Sequence, residues 1–211
     1  MMPDFLLDGP PGAPTLLLAH GAGAAMDSPA MTALAAALAG AGLRVARFEF
    51  DYMASRRRGT GRKPPPRAEK VIPEYRAAVA DLAAEGPVLI GGKSMGGRVA
   101  SMIADELRAE GRVAGLVCLG YPFHPPAKPE QRRTAHLEHL ATPALIFQGT
   151  RDPFGTRAEV AGYRLSERIE LVWLEDGDHD LRPRKSVSGL TAADHLATVA
   201  ARTAAFAAAR A

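Results

Sequence analysis

The chain has 211 residues, of which 47% are hydrophobic, and a net charge of +3. This length suits one domain with a substantial core, so we expect a single domain over residues 1–211. The lone cysteine, Cys118, excludes an internal disulfide, and no apolar run approaches the roughly 20 residues needed to span a membrane. Because Met1–Asp4 do not begin a signal peptide, we expect a cytoplasmic protein without membrane contacts.

Apolar runs and alanine-rich segments alternate along the chain. The predicted strands cover residues 15–19, 43–48, 88–91, 115–119, 143–148 and 169–174, with a short edge strand at 5–7. The predicted helices cover residues 29–40, 74–85, 96–110 and 191–209, with a weaker one near 156–163. This alternation predicts an α/β fold with a mostly parallel sheet of six to seven strands and helices on both faces. The only sizeable insertion, 120–142, is proline-rich, so no helical lid is expected.

A glycine-rich stretch directly follows the apolar run 88–90 and precedes a helical pattern. It contains Gly92-Lys93-Ser94-Met95-Gly96, which is a G-x-S-x-G pattern placed between a strand and a helix. In that setting a strained turn lifts the serine hydroxyl away from the sheet, and the glycines remove side chains that would clash. Ser94 is therefore a candidate nucleophile.

The glycine patterns have three other interpretations. A phosphate-binding P-loop would need glycine at position 87, where the chain has Pro87. A dinucleotide fingerprint beginning at Gly21 would need Gly or Ala where Met26 stands. The third interpretation is a turn whose serine only caps the following helix, and the motif alone does not exclude it.

Two polar residues follow later strands and could complete a nucleophilic site. Asp152 comes shortly after strand 143–148, and His179 comes shortly after strand 169–174. A serine needs a base to remove its proton, and that base needs a carboxylate to orient it. Because the carboxyl ends of parallel strands meet at one edge of the sheet, we expect Ser94, His179 and Asp152 to converge there.

Each of these assignments has a competing interpretation. Asp152 precedes a proline, and such an aspartate is commonly only a turn former. A histidine in an acidic loop is often merely solvated. Asp176 and Asp178 are alternative carboxylates, but both are too close to His179 in sequence to face its ring easily.

Together these residues resemble the α/β-hydrolase superfamily, over a match that runs from Leu16 to the C-terminal helix. The order Ser94, Asp152, His179 is the order of that superfamily. More narrowly, the chain is similar to small bacterial α/β-hydrolase-family proteins related to the testis-expressed-protein-thirty and NSL-complex-subunit-three type of domain. It also resembles dienelactone-hydrolase-like enzymes, which often use cysteine at the position of Ser94. The segments that carry the resemblance are 48–53, 92–98, 120–126, 149–155 and 177–181.

The resemblance implies a compact α/β-hydrolase fold and an oxyanion hole built from backbone groups. In this superfamily one N–H comes from a His-Gly loop after an early strand, here His20-Gly21-Ala22-Gly23. The second comes from the residue after the nucleophile. The matching amides belong to Ala22 and Met95, whereas the side chain of His20 is expected to order the loop.

The first functional hypothesis is a serine hydrolase that cleaves a small or medium carboxylic ester, thioester or related acyl bond without a metal or organic cofactor. Its partner would be a small-molecule acyl substrate. Apolar and aromatic side chains expected beyond the carboxyl ends of the strands are candidates for the pocket mouth. The competing interpretation is that these side chains only pack the loops together. These candidates are Tyr52, Met53, Tyr121, Phe123, His124 and Phe154.

A basic stretch gives the second hypothesis. Between Arg56 and Lys70 there are seven basic residues against the single acidic residue Glu69. The stretch could be a solvated loop, or Arg56, Arg57 and Arg58 could hold an anionic end of the substrate. It lacks interleaved aromatic residues, so a nucleic-acid partner is not expected under the first hypothesis. The alternative is a non-catalytic binding module that contacts a protein or nucleic acid through residues 56–70.

Overall fold

The computed structural model describes residues 4–61, 63–82, 84 and 88–210. Its seven strands form one sheet in the order β1-β3-β2-β4-β5-β6-β7. Strand β1 pairs antiparallel with β3, and all other neighbours are parallel. The predicted mostly parallel sheet is therefore confirmed. The strands are β1 (Leu6–Asp8), β2 (Thr15–Ala19), β3 (Arg44–Phe48), β4 (Val88–Lys93), β5 (Gly115–Leu119), β6 (Ala144–Gly149) and β7 (Ile169–Leu174).

Helices cover both faces of this sheet, as alternating side chains along the central strand β2 show. Leu16 and Leu18 pack with the helices α1 and α7, whereas Leu17 and Ala19 pack with α3 and α4. Successive side chains of a strand point to opposite faces, so each pair of helices buries one face. The helices are α1 (Pro29–Gly40), α2 (Asp51–Arg57), α3 (Ile72–Asp81), α4 (Met95–Ala109), α5 (Arg157–Val160), α6 (Lys185–Ser188) and α7 (Ala192–Ala208).

The tyrosine Tyr75 of α3 ties the two central strands together. Its hydroxyl lies 3.1 Å from the Leu17 carbonyl oxygen of β2 and 2.7 Å from the Gly91 carbonyl oxygen of β4. It also accepts a hydrogen bond of 2.9 Å from the Gly91 N–H. The side chain is fully buried. These bonds lie three residues before Ser94 and hold the strand that leads into it.

Local sequence features explain where the two helices on the α1 and α7 face of the sheet begin. Ser28 caps α1 by accepting a hydrogen bond from the Met31 N–H, and proline occupies the first turn. Thr191 and Asp194 form a capping box at the start of α7. Both helices begin at the carboxyl edge of the sheet, where each follows a loop.

One helix was not predicted: residues 51–57 form the helix α2. Its side chains Tyr52, Met53 and Ala54 are buried, while Asp51 in the first turn and Arg56 and Arg57 in the last turn complement the helix dipole. The predicted helix 74–85 begins earlier, at Ile72, and ends at Asp81; its residues 83 and 85 lie outside the described residues. The weaker helix near 156–163 is a single turn, α5.

The connection from β5 to β6, residues 120–143, is described throughout and contains no α-helix. Its only helical element is a 3-10 turn at Ala135–Leu137. The expected absence of a helical lid is confirmed for this segment. Among the described residues, no helix combines the length and the apolar character that crossing a membrane requires.

Candidate active site

Ser94 lies at a sharp turn between β4 and α4. Its backbone has φ 50° and ψ −114°, a combination that residues other than glycine rarely adopt. The turn is packed too tightly for neighbouring side chains. A Cβ on Gly96 would lie 2.6 Å from the His20 carbonyl oxygen, and one on Gly92 would lie 2.7 Å from the Ala19 carbonyl oxygen. The glycines of the motif are therefore required by close backbone approach, and the serine stands at the tip.

The structure brings Ser94, His179 and Asp152 together. Ser94 Oγ lies 2.9 Å from His179 Nε2, and His179 Nδ1 lies 2.9 Å from Asp152 Oδ2. An ionised carboxylate can only accept hydrogen bonds, so Nδ1 carries the proton and Nε2 presents its lone pair to the hydroxyl. This is the arrangement that proton removal from a serine requires.

Asp152 is fully buried and is held in place by two further donors. The Gln148 side-chain amide donates to Oδ2 at 3.0 Å, and the Phe154 N–H donates to Oδ1 at 2.9 Å. Together with His179, these donors satisfy both carboxylate oxygens, as a buried carboxylate requires. The carboxylate is therefore fixed before any substrate binds.

The ring and the backbone of His179 are both constrained. The Phe154 ring stacks on the imidazole with a centroid distance of 4.2 Å. Lys93 Nζ donates a hydrogen bond of 2.6 Å to the His179 carbonyl oxygen and lies 3.3 Å from Asp180 Oδ1. Burial lowers the pKa of Lys93, and the charge of Asp180 opposes this effect.

The competing carboxylates have other partners. Asp176 accepts hydrogen bonds from the backbone N–H and the guanidinium of Arg184, and these bonds lower the pKa of its carboxyl to about 2. Asp178 Oδ1 accepts the backbone N–H groups of Asp180 and Arg182 at 2.9 Å each. Both residues thus shape the loop around His179 rather than orient its ring.

The side chain of His20 orders the loop after β2, as expected. It accepts a hydrogen bond of 3.2 Å from the Phe50 N–H at Nε2, so its Nδ1 carries the proton that it donates to the Gly21 carbonyl oxygen at 2.6 Å. Burial lowers the pKa of His20, which favours this neutral form. The Tyr52 hydroxyl also donates to the Ala22 carbonyl oxygen at 3.1 Å.

The two amides predicted for the oxyanion hole border the turn at Ser94. Within the described part of the chain, the Ala22 N–H donates to no backbone or side-chain acceptor. Met95 is the first residue of α4, so its N–H lies ahead of the hydrogen bonds of the helix. Free N–H groups of this kind are suited to binding negative charge.

A cavity of about 610 Å³ opens beside Ser94 on the face of the sheet covered by α1 and α7. Its lining includes Ser94, Ala22, Phe154 and His179. The first half of α1 and the first half of α7 form two of its walls. Side chains from these two helices include Ala30, Ala33, Leu34, His195, Leu196 and Val199.

Of the predicted pocket residues, Phe154 lines this cavity and the other five do not. Tyr52, Met53, Tyr121 and Phe123 belong to the core on the opposite face, packed with α3 and α4, and they are at most 6% exposed. His124 is 1% exposed, and its ring bonds to the neighbouring Pro125 carbonyl oxygen. The prediction is wrong for these five because their side chains are buried elsewhere, in the helix α2 and in the segment after β5, and do not line the cavity.

The predicted anion handle also lies elsewhere. Arg57 forms an ion pair of 2.8 Å with Glu49, and Arg56 donates to the Lys63 carbonyl oxygen at 2.9 Å. Neither these residues nor the exposed Arg58 line the cavity beside Ser94. Arg62 of the basic stretch lies outside the described residues.

A second serine and histidine are also in contact, but their geometry differs. Ser101 Oγ lies 2.8 Å from His136 Nε2 and donates its single proton to the Arg98 carbonyl oxygen at 2.7 Å. Within the described residues no carboxylate is hydrogen-bonded to this imidazole, so the pair lacks the orienting group that Asp152 supplies to His179. Burial lowers the pKa of His136 to about 4. This pair ties the 3-10 turn to α4.

Comparisons with known proteins agree with this fold. The fold is similar to a dienelactone hydrolase from Anabaena variabilis, with 20% identity, a TM-score of 0.71, and coverage of 100% of this chain and 99% of that chain. It is similar to Est1E from Butyrivibrio proteoclasticus with bound ferulic acid, with 16% identity, a TM-score of 0.72, and coverage of 99% and 95%.

A third similar structure is an α/β serine hydrolase without a lid from Xanthomonas campestris. It has 20% identity and a TM-score of 0.65, and the match covers 85% of this chain and 81% of that one. The sequence model of the alpha/beta hydrolase domain matches residues 12–208. The chain therefore belongs to the α/β-hydrolase family.

Proposed function

We propose that this protein is a serine hydrolase that cleaves a small or medium carboxylic ester or thioester through an acyl-enzyme intermediate on Ser94. The observation that carries the proposal is the continuous series of contacts from Ser94 through His179 to Asp152, with 2.9 Å at each step. Membership of the α/β-hydrolase family supports it.

In the first half-reaction Ser94 Oγ attacks the carbonyl carbon of the substrate while His179 Nε2 takes the hydroxyl proton. The negative charge of Asp152 stabilises the resulting imidazolium, and its hydrogen bond keeps the ring oriented. The N–H groups of Ala22 and Met95 donate to the oxyanion, a contribution of about 3–4 kcal/mol for each donor. His179 then returns the proton to the leaving alcohol or thiol, and the C–O or C–S bond breaks.

In the second half-reaction a water molecule replaces the alcohol. His179 removes a proton from the water, whose oxygen attacks the acyl carbon, and then returns that proton to Ser94 Oγ as the ester bond to the enzyme breaks. The carboxylic acid leaves, and Ser94 is regenerated. Each proton transfer uses the same contact of 2.9 Å between Ser94 and His179.

The size and lining of the cavity support a substrate with a compact apolar group. A volume of about 610 Å³ falls within the range of about 300–1,000 Å³ that is usual for small-molecule sites. The structurally similar Est1E binds ferulic acid, an aromatic carboxylic acid. A small or medium acyl or aryl group would fit between α1 and α7.

Labelling with a fluorophosphonate probe tests the assignment of the nucleophile. The wild type should be labelled at Ser94, and Ser94→Ala should not be labelled. Ser101→Ala is the matched control, because it removes the other serine in contact with a histidine, and it should be labelled like the wild type. Labelling of Ser94→Ala would contradict the proposal. An absence of labelling in folded wild type would also contradict it and would favour a non-catalytic binding module.

A further inference from the structure

Gln148 is a fully buried polar residue near the carboxyl end of β6, four residues before Asp152. It does not line the cavity beside Ser94, so it does not touch a substrate held there. A buried side-chain amide carries two N–H donors and one carbonyl acceptor, and leaving any of them unpaired is unfavourable. The hydrogen bonds of Gln148 therefore indicate what this side chain does.

The backbone of Tyr121 determines which way the amide of Gln148 points. The Tyr121 N–H donates to Gln148 Oε1 at 2.8 Å, and since an N–H needs an acceptor, the oxygen must lie at this end. The NH2 end then faces Asp152 and donates to its Oδ2 at 3.0 Å. It also lies 3.2 Å from the Gly155 carbonyl oxygen and 3.3 Å from the Tyr121 carbonyl oxygen. The opposite orientation would place the NH2 group against the Tyr121 N–H, so the amide has one orientation only.

The segment that orients Gln148 is connected to the turn of the nucleophile. The Ser94 N–H donates to the carbonyl oxygen of Leu119, the last residue of β5, at 2.9 Å. Tyr121 follows Leu119 by two residues and binds Gln148 through its N–H. Gln148 therefore connects the backbone beside Ser94 to the carboxylate of Asp152.

The bond from Gln148 falls on the carboxylate oxygen that also binds the candidate base. Asp152 Oδ2 accepts from Gln148 Nε2 at 3.0 Å and lies 2.9 Å from His179 Nδ1. Within the described part of the chain, no side chain other than these two donates to Asp152. A donor on a carboxylate stabilises its negative charge and restricts the direction of its oxygens. Without Gln148, the Phe154 N–H on Oδ1 would be the only donor besides His179 itself.

We infer that Gln148 is a positioning residue, which directs Asp152 Oδ2 at His179 and thereby keeps the imidazole aligned with Ser94. The inference rests on the proposed function and adds a residue that acts on the reaction without contact to the substrate. Because proton transfer depends on this alignment and binding of the substrate does not, Gln148 should affect kcat and leave KM unchanged.

Gln148→Met tests the inference, because methionine is unbranched, fills a similar space and cannot donate a hydrogen bond to Asp152. On p-nitrophenyl butanoate we expect kcat to fall about 10- to 100-fold, which is the range for one hydrogen bond to a charged group. We expect KM to stay within about twofold, since uniform binding is not affected. Thermal unfolding of each variant establishes that it is folded at the assay temperature.

Two control variants match different aspects of this change. Gln131→Met makes the same substitution at an exposed glutamine and should leave kcat and KM unaltered. Thr142→Val removes another hydrogen bond from a buried side chain to a carboxylate, the bond of 2.6 Å from Thr142 to Asp105, which lies outside the cavity lining. It should lower the stability of the fold without lowering kcat.

A double variant separates a positioning role from a general loss of packing. In Asp152→Asn the carboxylate that Gln148 directs is absent, so adding Gln148→Met should lower kcat by less than about threefold further. A defect unrelated to Asp152 would instead multiply with the loss caused by Asp152→Asn, because the free energies of independent changes add.

The outcomes distinguish this inference from the proposed function. If the fluorophosphonate labels Ser94 but folded Gln148→Met has an unchanged kcat, the inference is overturned and the serine hydrolase stands. The same holds if the loss from Gln148→Met is equally large with and without Asp152→Asn. If folded wild type is not labelled, both proposals are overturned.

Discussion

The ammonium group of Lys93 donates a hydrogen bond of 2.6 Å to the carbonyl oxygen of His179. It thereby connects the residue that precedes Ser94 to the loop that carries the candidate base. The Lys93 side chain is 16% exposed and also meets Asp180. Because Lys93 and Ser94 are adjacent in the chain, this bond helps to fix the imidazole at a constant distance from the hydroxyl.

Replacing Lys93 with methionine should therefore impair turnover more than binding. We expect kcat on p-nitrophenyl butanoate to fall about 10- to 100-fold with little change in KM, because a misplaced base weakens proton transfer. Lys93→Arg should recover part of the loss. Lys128→Met, a change at an exposed position, is the control. An unchanged kcat in folded Lys93→Met would contradict a positioning role.

Asp152→Asn should lower kcat by about 10³–10⁴-fold. The amide of asparagine can donate to His179 Nδ1, which would move the ring proton to Nε2 and remove the acceptor that faces Ser94. Asp178→Asn changes a carboxylate in the same loop as the histidine and should cost far less. Steady-state rates of both variants on one ester check the prediction. Equal losses would contradict the assignment of Asp152.

Tyr75→Phe should destabilise the fold by about 1–3 kcal/mol, since it removes the partner of the Gly91 N–H and a donor to the carbonyl oxygens between β2 and β4. The free energy of unfolding in urea measures the effect. Tyr163→Phe, at a partly exposed tyrosine, should change it by less than about 0.5 kcal/mol. A loss for Tyr75→Phe no larger than this would show that these buried bonds contribute little.

The carboxylate of Asp176 should stabilise the folded protein in a particular pH range. Its pKa falls from the ordinary value of 3.8 to about 2 when it binds Arg184. A lowered pKa means that the folded state favours the ionised form, so the stabilisation is complete above about pH 4 and is lost as the pH falls toward 2.

Thermal unfolding of the wild type and Asp176→Asn across this range checks the prediction. The variant should melt at a lower temperature at pH 7, and the difference between the two should shrink between pH 4 and pH 2. Asp81→Asn, at an exposed aspartate, serves as the control. A difference that stays constant down to pH 2 would contradict the ionic contribution of Asp176.

Local sequence patterns predict the strand, turn and helix around Ser94. They also place Asp152 and His179 just beyond their strands, at the shared edge of a parallel sheet. These features were predictable because apolar runs and glycines are encoded within a few residues of each other. The bounds of β2, β5, β7 and α1 agree with the predicted ones for the same reason.

The location of the cavity was not predictable in this way. It depends on which face of the sheet remains incompletely filled beside Ser94, and that depends on how closely α1 and α7 approach each other. Tyr121 and Phe123 follow β5 directly, as pocket residues often do, yet they fill the core. His195 belongs to no motif, and only the packed structure shows that it lines the cavity.

The two walls of the cavity come from opposite ends of the described chain, because α1 begins at Pro29 and α7 begins at Ala192. Ser94, Asp152 and His179 all precede α7. The second wall is therefore supplied by the last helix alone, after the chain has passed through all three of these residues. A substitution confined to the first half of α7 can change the lining of the cavity and leave Ser94, Asp152 and His179 unaltered.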